Sequence, residues 1–521
     1  MQPKYILEIK HIAVIGSGAM GRGIGQLFAQ AECSVVMVDT SATAISAAKD
    51  YFSSTLSKLL DKGKLDQATH DDVLSRITYS EDLSACSSCD LVIEAIVENL
   101  DIKRELFKKL ELIVSPQTIL VSNTSSLSIT AIAAVCQRPE QIAGLHFFNP
   151  VPLMKVVEIV YGAVSAKATI EALKPLIAKT RHKAVMCKDT PGFIVNHAGR
   201  GYGTEALRAL GEGVAGFVEI DAILREQVLF ESGAGGFKLG PFELLDLTGL
   251  DVSHPVMESI YHQYFEEPRY RPSVITKQRM DAKLFGRKTK RGFYEYSTGI
   301  QQALEQDKTP PLPIADDSVV QRFWVAPGKD QPAICELLER LGAPLDTNKH
   351  PAEDSIQIVA PWGTDATTEA VAKGCIARKV IAIDTLFGFG FKACKRRVLM
   401  STPATDMATR AYAATVFSRD GAKVSIINDS AGFIAQRVCA MIINIACEIA
   451  QQQVASPDDI DVAVQLGLGY PLGPLSMGNA LGAKPVFELL TNLQATTGDD
   501  RFRPSLWLRR RAQLDLSLLH S

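Results

Sequence analysis

Between residues 10 and 150, short apolar runs rich in β-branched residues alternate with longer stretches of helical period. HIAVIG, beginning at His11, predicts a buried strand, and Met20 to Ala31 a helix. SVVMVD (Ser34 to Asp39) predicts a second strand. DLVIEA (Asp90 to Ala95), TILVSN (Thr118 to Asn123) and IAGLHF (Ile142 to Phe147) predict later ones. Strands that are apolar throughout and separated by helices predict a parallel sheet covered on both faces. A long polar-faced helical stretch from Ser41 to Lys64, ending in DKGKL, reads as an insertion relative to a minimal strand–helix–strand unit.

After Asp189 the pattern changes. GFIVNHAGRGYGTEALRAL, from Gly192, predicts one helix, few β-rich runs follow, and RGFYEY (Arg291 to Tyr296) closes a mostly helical domain. TPPLP (Thr309 to Pro313) predicts a linker, because clustered prolines continue neither a helix nor a central strand.

The helical part is repeated. DTPGFIVN (Asp189 to Asn196) returns as DSAGFIAQ (Asp429 to Gln436), LGPFEL (Leu239 to Leu244) as LGPLSM (Leu472 to Met477), and RYRPS (Arg269 to Ser273) as RFRPS (Arg501 to Ser505). The offsets of 240, 233 and 232 residues keep three landmarks in register, which implies a duplicated helical domain. In residues 315 to 420, SIQIVA, KVIAID and RRVLMS predict strands. A helix is expected between Pro403 and Arg419, with Thr402 as N-cap. After SIQIVA the chain reads PWGTDA, without a phosphate-binding glycine pattern, so a degenerate nucleotide fold that holds no cofactor is expected there.

The 521 residues suggest three or four domains at about 150 residues each. A chain of that length buries several cores without disulfide or metal staples. With 55 basic and 58 acidic residues, the formal charge of -3 excludes a strongly basic nucleic-acid binder and argues against polybasic membrane attachment. No segment is expected to reach the roughly 18 apolar residues of a membrane span; Val438 to Cys447 is the longest candidate. MQPKYILEIK lacks a secretory or transit pattern, so a cytoplasmic or other reducing compartment is expected. Cys86 and Cys89 form a single C-x-x-C with no second pair or nearby His, so they are expected to be inert thiols and no metal site is expected.

Directly after the first strand comes Gly16-Ser-Gly18-Ala-Met-Gly21. In such a loop the first glycine makes the tight turn, the second admits a pyrophosphate, and the third lets helix pack on strand. Asp39, 23 residues after Gly16 at the end of the second strand, suits a ribose and repels a 2′-phosphate. Together they predict a Rossmann-type domain binding NAD rather than NADP. Ligands of open parallel sheets bind at the carboxyl ends of strands. SNTSSL (Ser122 to Leu127) and GLHFFNP (Gly144 to Pro150) lie there. His146 is followed by Phe147-Phe148, which would lower solvent access, and Glu158 comes 12 residues on in KVVEIV, able to fold back on it. A neutral imidazole suits removal of a hydroxyl proton, and a carboxylate on its far nitrogen fixes the tautomer. A hydrogen-bonded structural histidine is the competing reading.

These residues resemble the L-3-hydroxyacyl-CoA dehydrogenase family. The resemblance rests on GSGAMGRGI (from Gly16), EAIVEN (from Glu94), SNTSSLSIT (from Ser122), GLHFFNPVPLMKVVEIV (from Gly144), DTPGFIVN (from Asp189) and GRKTKRGFYEY (from Gly286), in family order. It implies a Rossmann-type NAD-binding domain (1–188) and an all-α C-terminal domain (189–298). A degenerate α/β region (299–420) and a second, non-catalytic helical copy (421–521) follow. It places the catalytic pair on His146 and Glu158, the hydroxyl contacts on Ser125 and Asn196, and the nucleotide contacts on Gly16, Gly18, Met20, Gly21, Asp39, Glu98, Lys103 and Asn123. Lys62 falls where the family contacts CoA.

The substrate implied is an acyl-CoA, with neither nucleic acid nor membrane as partner. The tandem length resembles the long form of the family, assigned to 3-hydroxybutyryl-CoA or 3-hydroxyadipyl-CoA oxidation in fatty-acid or phenylacetate catabolism. Three departures bear on substrate range and helix rigidity: His197 where Arg is usual, Lys290 in KTKRG, and Gly201-Tyr202-Gly203 for Pro-Tyr-Tyr. The two helical copies are expected to pair within the chain as a pseudo-dimer, with a homo-oligomer as the alternative. Competing functions are a CoA-independent hydroxyacid dehydrogenase of the gulonate or lens-crystallin type, and a non-catalytic nucleotide-binding protein.

Overall fold

Every apolar run between His11 and Phe147 read as a strand forms one. The computed structural model describes residues 8–307, 315 and 320–520, so the Thr309 to Pro313 linker lies outside the described residues. The chain divides into two compact units: residues up to His197 with Gln452–Leu468, and Ala198–Gln451 with Gly469 onward.

The first unit holds strands β1 (His11–Ile15), β2 (Ser34–Val38), β3 (Ile77–Ser80), β4 (Leu91–Glu94), β5 (Ile119–Ser122), β6 (Ile142–Phe147), β7 (Val156–Tyr161) and β8 (Lys183–Lys188). They form one sheet in the order β3-β2-β1-β4-β5-β6-β7-β8. Every pairing is parallel except β6 with β7. Ile12, Val14, Phe28, Val35, Leu91, Val121 and Leu145 make its core, all 5% exposed or less. The helix Pro457–Leu468 packs on β7 and β8, and Lys188 N–H donates to Val454 O at 2.8 Å.

The second unit carries a five-stranded sheet in the order β13-β12-β11-β10-β9. The strands are β9 (Phe323–Val325), β10 (Ile356–Val359), β11 (Val380–Ile383), β12 (Arg396–Ser401) and β13 (Lys423–Asn428). Its pairings run parallel, parallel, antiparallel, parallel from β9 to β13, the same succession as β4 to β8. The register Arg396↔Lys423 is Val156↔Lys183 with both partners shifted by 240 residues. The degenerate region is therefore the later half of the first sheet, repeated strand for strand. The helix Phe217–Glu226 packs against it: Arg396 binds Glu219 at 2.9 Å, and Asn428 N–H donates to Val214 O at 2.9 Å. That bond is Lys188 to Val454 with the two copies exchanged.

Three expectations are corrected. The helix read across Gly192 to Leu210 is two pieces, Val195–Ala198 and Arg200–Gly211. The late helix is Met407–Phe417, and its cap is Asp406, whose carboxylate accepts from Thr409 N–H at 2.7 Å. Thr402 instead spends its hydroxyl on Ala377 O and Thr405, which leaves Pro403 ahead of the helix. Finally, Ile434–Gln451 is 18 residues long and apolar enough to cross a membrane, against the expectation that no segment reaches that length. It is a buried core helix: Gly201, on Arg200–Gly211, lets that helix approach so closely that an added Cβ would lie 3.1 Å from Ile442 N. Behind the crossing, Arg437 binds buried Glu205 at 2.8 Å and Glu212 at 2.7 Å, and Arg501 binds Glu205 at 3.1 Å.

Candidate active site

The glycine loop follows β1. Gly16 has φ +102°, and an added Cβ would sit 2.5 Å from Ala95 O. A Cβ on Gly21 would sit 1.8 Å from Gly16 O, so the helix Ala19–Gln30 cannot approach the strand with any larger residue there. Gly18 meets nothing within 4 Å. The first and third glycines are thus fixed by the protein's own packing, whereas the space beside the second is open to a ligand. Gly18 caps the helix without a side-chain bond and no acid occupies the first turn, so the helix N-terminus offers N–H groups to phosphate. Met20 packs on the sheet core.

Asp39 accepts from Ser17 N–H at 2.7 Å and Ser41 N–H at 3.0 Å, which fixes its carboxylate at the loop. It borders a 590 Å³ cavity lined by Ile15, Val38, Ile96, Ile102 and Leu106. A slot with these apolar walls and the fixed Asp39 carboxylate beside the glycine loop fits the adenosine half of a dinucleotide; Glu81, Asp101, Glu105 and Lys109 also line it. The residues present therefore fit NAD.

At the other end of the sheet's carboxyl edge, β6 and β7 place His146 opposite Glu158. His146 Nδ1 lies 2.6 Å from Glu158 Oε2, with Glu158 fully buried and His146 5% exposed. The other carboxylate oxygen accepts from Ile194 N–H at 2.9 Å and Val195 N–H at 2.8 Å. Glu158 therefore fixes both the ring and the turn that leads to Asn196. Phe148 and Phe193 lie against the imidazole at 4.4 and 5.7 Å between centroids. Phe147 points the other way and packs on Phe28, as strand alternation requires. Only one of the two phenylalanines in GLHFFNP shields the ring.

Asn196 Nδ2 donates to Ser125 O at 3.4 Å, so Ser125, Asn196, His146 and Glu158 are brought together in the first unit. The loop carrying Ser125 is held by acids that spacing does not reveal. Glu98 accepts from Thr124 Oγ1 at 2.6 Å, Ser125 N–H at 3.0 Å and Ser126 Oγ at 3.1 Å. Burial pushes the Glu98 carboxyl up, but Lys103, Thr124 and Ser125 outweigh it and hold the group below its ordinary value. Lys103, 1% exposed, binds Glu94 at 2.5 Å and Glu98 at 3.2 Å. Glu94 also accepts from Ser122 Oγ at 2.5 Å. Asp189 clamps the following helix through Ser128 Oγ at 2.7 Å and Ile129 N–H at 3.0 Å. Asn123 Oδ1 accepts from Phe147 N–H at 2.9 Å.

Lys62 is exposed at the carboxyl end of the helix Ala42–Asp61, away from this cluster in sequence and in bonding. Burial raises the Cys86 and Cys89 thiols to about 12 and about 11, which keeps both as neutral thiols at neutral pH.

Comparison with known proteins decides what this arrangement belongs to. The family described as "3-hydroxyacyl-CoA dehydrogenase, NAD binding domain" matches residues 11–190. The family described as "3-hydroxyacyl-CoA dehydrogenase, C-terminal domain" matches 192–296 and again 432–516. The chain belongs to the 3-hydroxyacyl-CoA dehydrogenase family. It is an NAD-dependent oxidoreductase of 3-hydroxyacyl-CoA thioesters. The chain is 36% identical to the 3-hydroxyadipyl-CoA dehydrogenase of Escherichia coli over 98% of its length and 99% of the relative's. It resembles the crystal structure of 3-hydroxybutyryl-CoA dehydrogenase from Escherichia coli with a TM-score of 0.84, at 36% identity and with 98% and 99% of the two chains covered. A probable 3-hydroxybutyryl-CoA dehydrogenase of Deinococcus radiodurans is 41% identical, but covers only 54% of this chain with 99% of its own length. The duplicated half is thus shared with some 3-hydroxyacyl-CoA dehydrogenases and absent from that one.

Proposed function

We propose that this 3-hydroxyacyl-CoA dehydrogenase uses His146 as its base and Glu158 as that base's anchor. The observation that carries this is the 2.6 Å contact between Nδ1 and a fully buried carboxylate. With Nδ1 engaged, Nε2 is the nitrogen left to take the C3 hydroxyl proton. Bound NAD supplies the hydride acceptor. Glu158 offsets the charge of the imidazolium that forms. Ser125 and Asn196 orient the substrate oxygen, and Glu98 with Lys103 and Asn123 holds the loop in which Ser125 sits. Gly16, Gly18, Met20 and Gly21 form the diphosphate turn, with Asp39 on the ribose. Lys62 is a solvated cation suited to the CoA phosphates. In the reverse direction the imidazolium returns its proton to the ketone oxygen.

Residues 1–188 and 189–298 are the working pair in this reading, and 299–420 with 421–521 form a second, silent copy. The two copies make an internal pseudo-dimer. The reciprocal bonds Lys188 to Val454 and Asn428 to Val214 support it, since an isologous interface repeats each contact with its partners exchanged. Ten free cysteines support a reducing, cytoplasmic setting. The relatives' names point to 3-hydroxybutyryl-CoA or 3-hydroxyadipyl-CoA, hence to fatty-acid or phenylacetate catabolism. The test follows NADH consumption with acetoacetyl-CoA, then NAD reduction with 3-hydroxyadipyl-CoA. Turnover on either is expected. Activity on neither would favour a CoA-independent hydroxyacid dehydrogenase.

A further inference from the structure

Strand pairing identifies what stands in the second copy at each position of the first site. His146 faces Glu158 across β6 and β7. Ile383 faces Leu399 across β11 and β12, so the next pair outward is Asp384 with Val398. Asp384 takes the place of the base and Val398 that of its anchor. Gln436 stands for Asn196, 240 residues on. Asp365 caps its helix through Thr368 N–H as Ser128 does through Ala131 N–H, so Trp362 stands three residues before the cap, where Ser125 stands. Asp429 accepts from Ala366 N–H at 2.8 Å, as Asp189 does from Ile129 N–H.

The scaffold is kept and the dehydrogenase chemistry is gone. Asp384 is 1% exposed and accepts from Gln227 at 2.7 Å, Gln436 at 2.9 Å and Leu386 N–H at 3.1 Å. Trp362 Nε1 donates to Asp330 at 3.0 Å and Thr385 at 2.9 Å, so the indole is pinned where the serine was. The five strands match β4 to β8, so among the described residues this sheet has no counterpart of β1 to β3 or of their glycine loop.

A cavity of 470 Å³ nevertheless remains beyond β11. Its walls include Phe230, Trp362, Phe387, Phe389 and Phe391. Gly388 is what lets the Phe391 ring fold back: a Cβ there would lie 2.1 Å from it. Arg340 secures the loop through Gly390 O at 2.8 Å. Cavities of about 300–1,000 Å³ are the usual size for small-ligand sites, and this one joins aromatic faces to the polar groups of Glu231, Glu336, Arg340 and Thr385.

We propose that this cavity is a second, non-catalytic site for the acyl end of a neutral thioester. The proposal rests on the reading that the first copy turns over its thioester beside His146 and Ser125, since the cavity is lined by Trp362, which stands for Ser125, and by Thr385, next to the residue that stands for His146. Aromatic walls favour an apolar chain. Glu231 and Glu336 against a single Arg340 disfavour a free carboxylate. The helix that leads to Lys62 lies between β2 and β3, which this sheet lacks, so the nucleotide end of CoA contributes little here.

The experiment counts binding events per full-length chain by calorimetry, using hexanoyl-CoA, S-hexanoyl-N-acetylcysteamine and hexanoate. Hexanoyl-CoA is expected to fill two sites. The truncated thioester fills the second within about threefold of the CoA form, and hexanoate binds it at least about tenfold more weakly. Ala333→Trp and Ala480→Trp, both at exposed wall positions, should each abolish the second event and leave kcat and KM within about twofold. If neither variant loses an event that the unmodified chain shows, the proposal is overturned, whether that chain shows one event or two. Equal binding of hexanoate identifies a fatty-acid site and overturns it as well. Absence of turnover on any CoA substrate would sink the dehydrogenase reading alone, because the second event is read without NAD.

Discussion

Glu158→Gln isolates the anchor from the base. The carboxylate makes three bonds: one oxygen takes His146 Nδ1–H, and the other takes the Ile194 and Val195 amides. The amide oxygen of Gln can keep both backbone bonds, so the turn ahead of Asn196 stays in place. The amide nitrogen must then face Nδ1. Two donors cannot face each other, so the ring moves its proton to Nε2, the atom that has to accept from substrate. A base locked in the wrong tautomer loses about 10³- to 10⁴-fold in kcat, or about 4–5.5 kcal/mol of barrier. KM for 3-hydroxybutyryl-CoA and the thermal midpoint should stay near those of the unmodified chain. Steady-state NAD reduction and a melting curve read both. A kcat within about fivefold of the original would refute the tautomer argument. Equal losses in stability and rate would instead make Glu158 a structural acid.

Three further outcomes follow from the packing. Gly18→Ala should leave the melting temperature within about 1 °C and raise Kd for NADH at least about tenfold, read by nucleotide fluorescence; unchanged binding would move the diphosphate elsewhere. Arg437→Met strips one of two arginines from buried Glu205, whose carboxyl burial pushes up but Arg437 and Arg501 hold below its ordinary value, so about 3 kcal/mol should vanish in denaturant titrations. Burial raises Asp384 to about 6 from 3.8, so the folded state holds a proton that the unfolded state has lost, and stability falls as pH rises through that window. Asp384→Asn removes up to about 3 kcal/mol of that penalty at pH 8 and nothing below pH 4, with Gln227 Oε1, unpartnered at present, accepting from the new amide; equal destabilisation at both pH values would contradict this.

The first sheet was legible because its central strands are apolar on both faces, and the glycine loop because only glycine satisfies two of its three positions. β3 escaped notice as a short edge strand whose ITYS is mostly part-exposed. β8 escaped because KAVMCK alternates buried and part-exposed residues without an apolar run. His146, Glu158, Ser125 and Asn196 could be chosen from motifs, yet the bonds that hold them could not. Lys103, placed among the nucleotide contacts by the family resemblance, is buried between two carboxylates, a setting no motif spells out. The second copy is legible as a repeat, but the residues that stand at its site are not. Strand pairing depends on backbone and burial rather than on side-chain identity, so Asp384, Val398 and Trp362 could replace the working residues without disturbing the register.

The exchanged bonds, Lys188 to Val454 and Asn428 to Val214, lie within a single polypeptide. Two separate molecules trading the same helices would come apart on dilution, because their union is paid for by concentration. Tethering removes that dependence. It also lets one fold depart from the other residue by residue, as Asp384 and Val398 depart from His146 and Glu158, while the union of the two is set at synthesis rather than by how crowded its surroundings are.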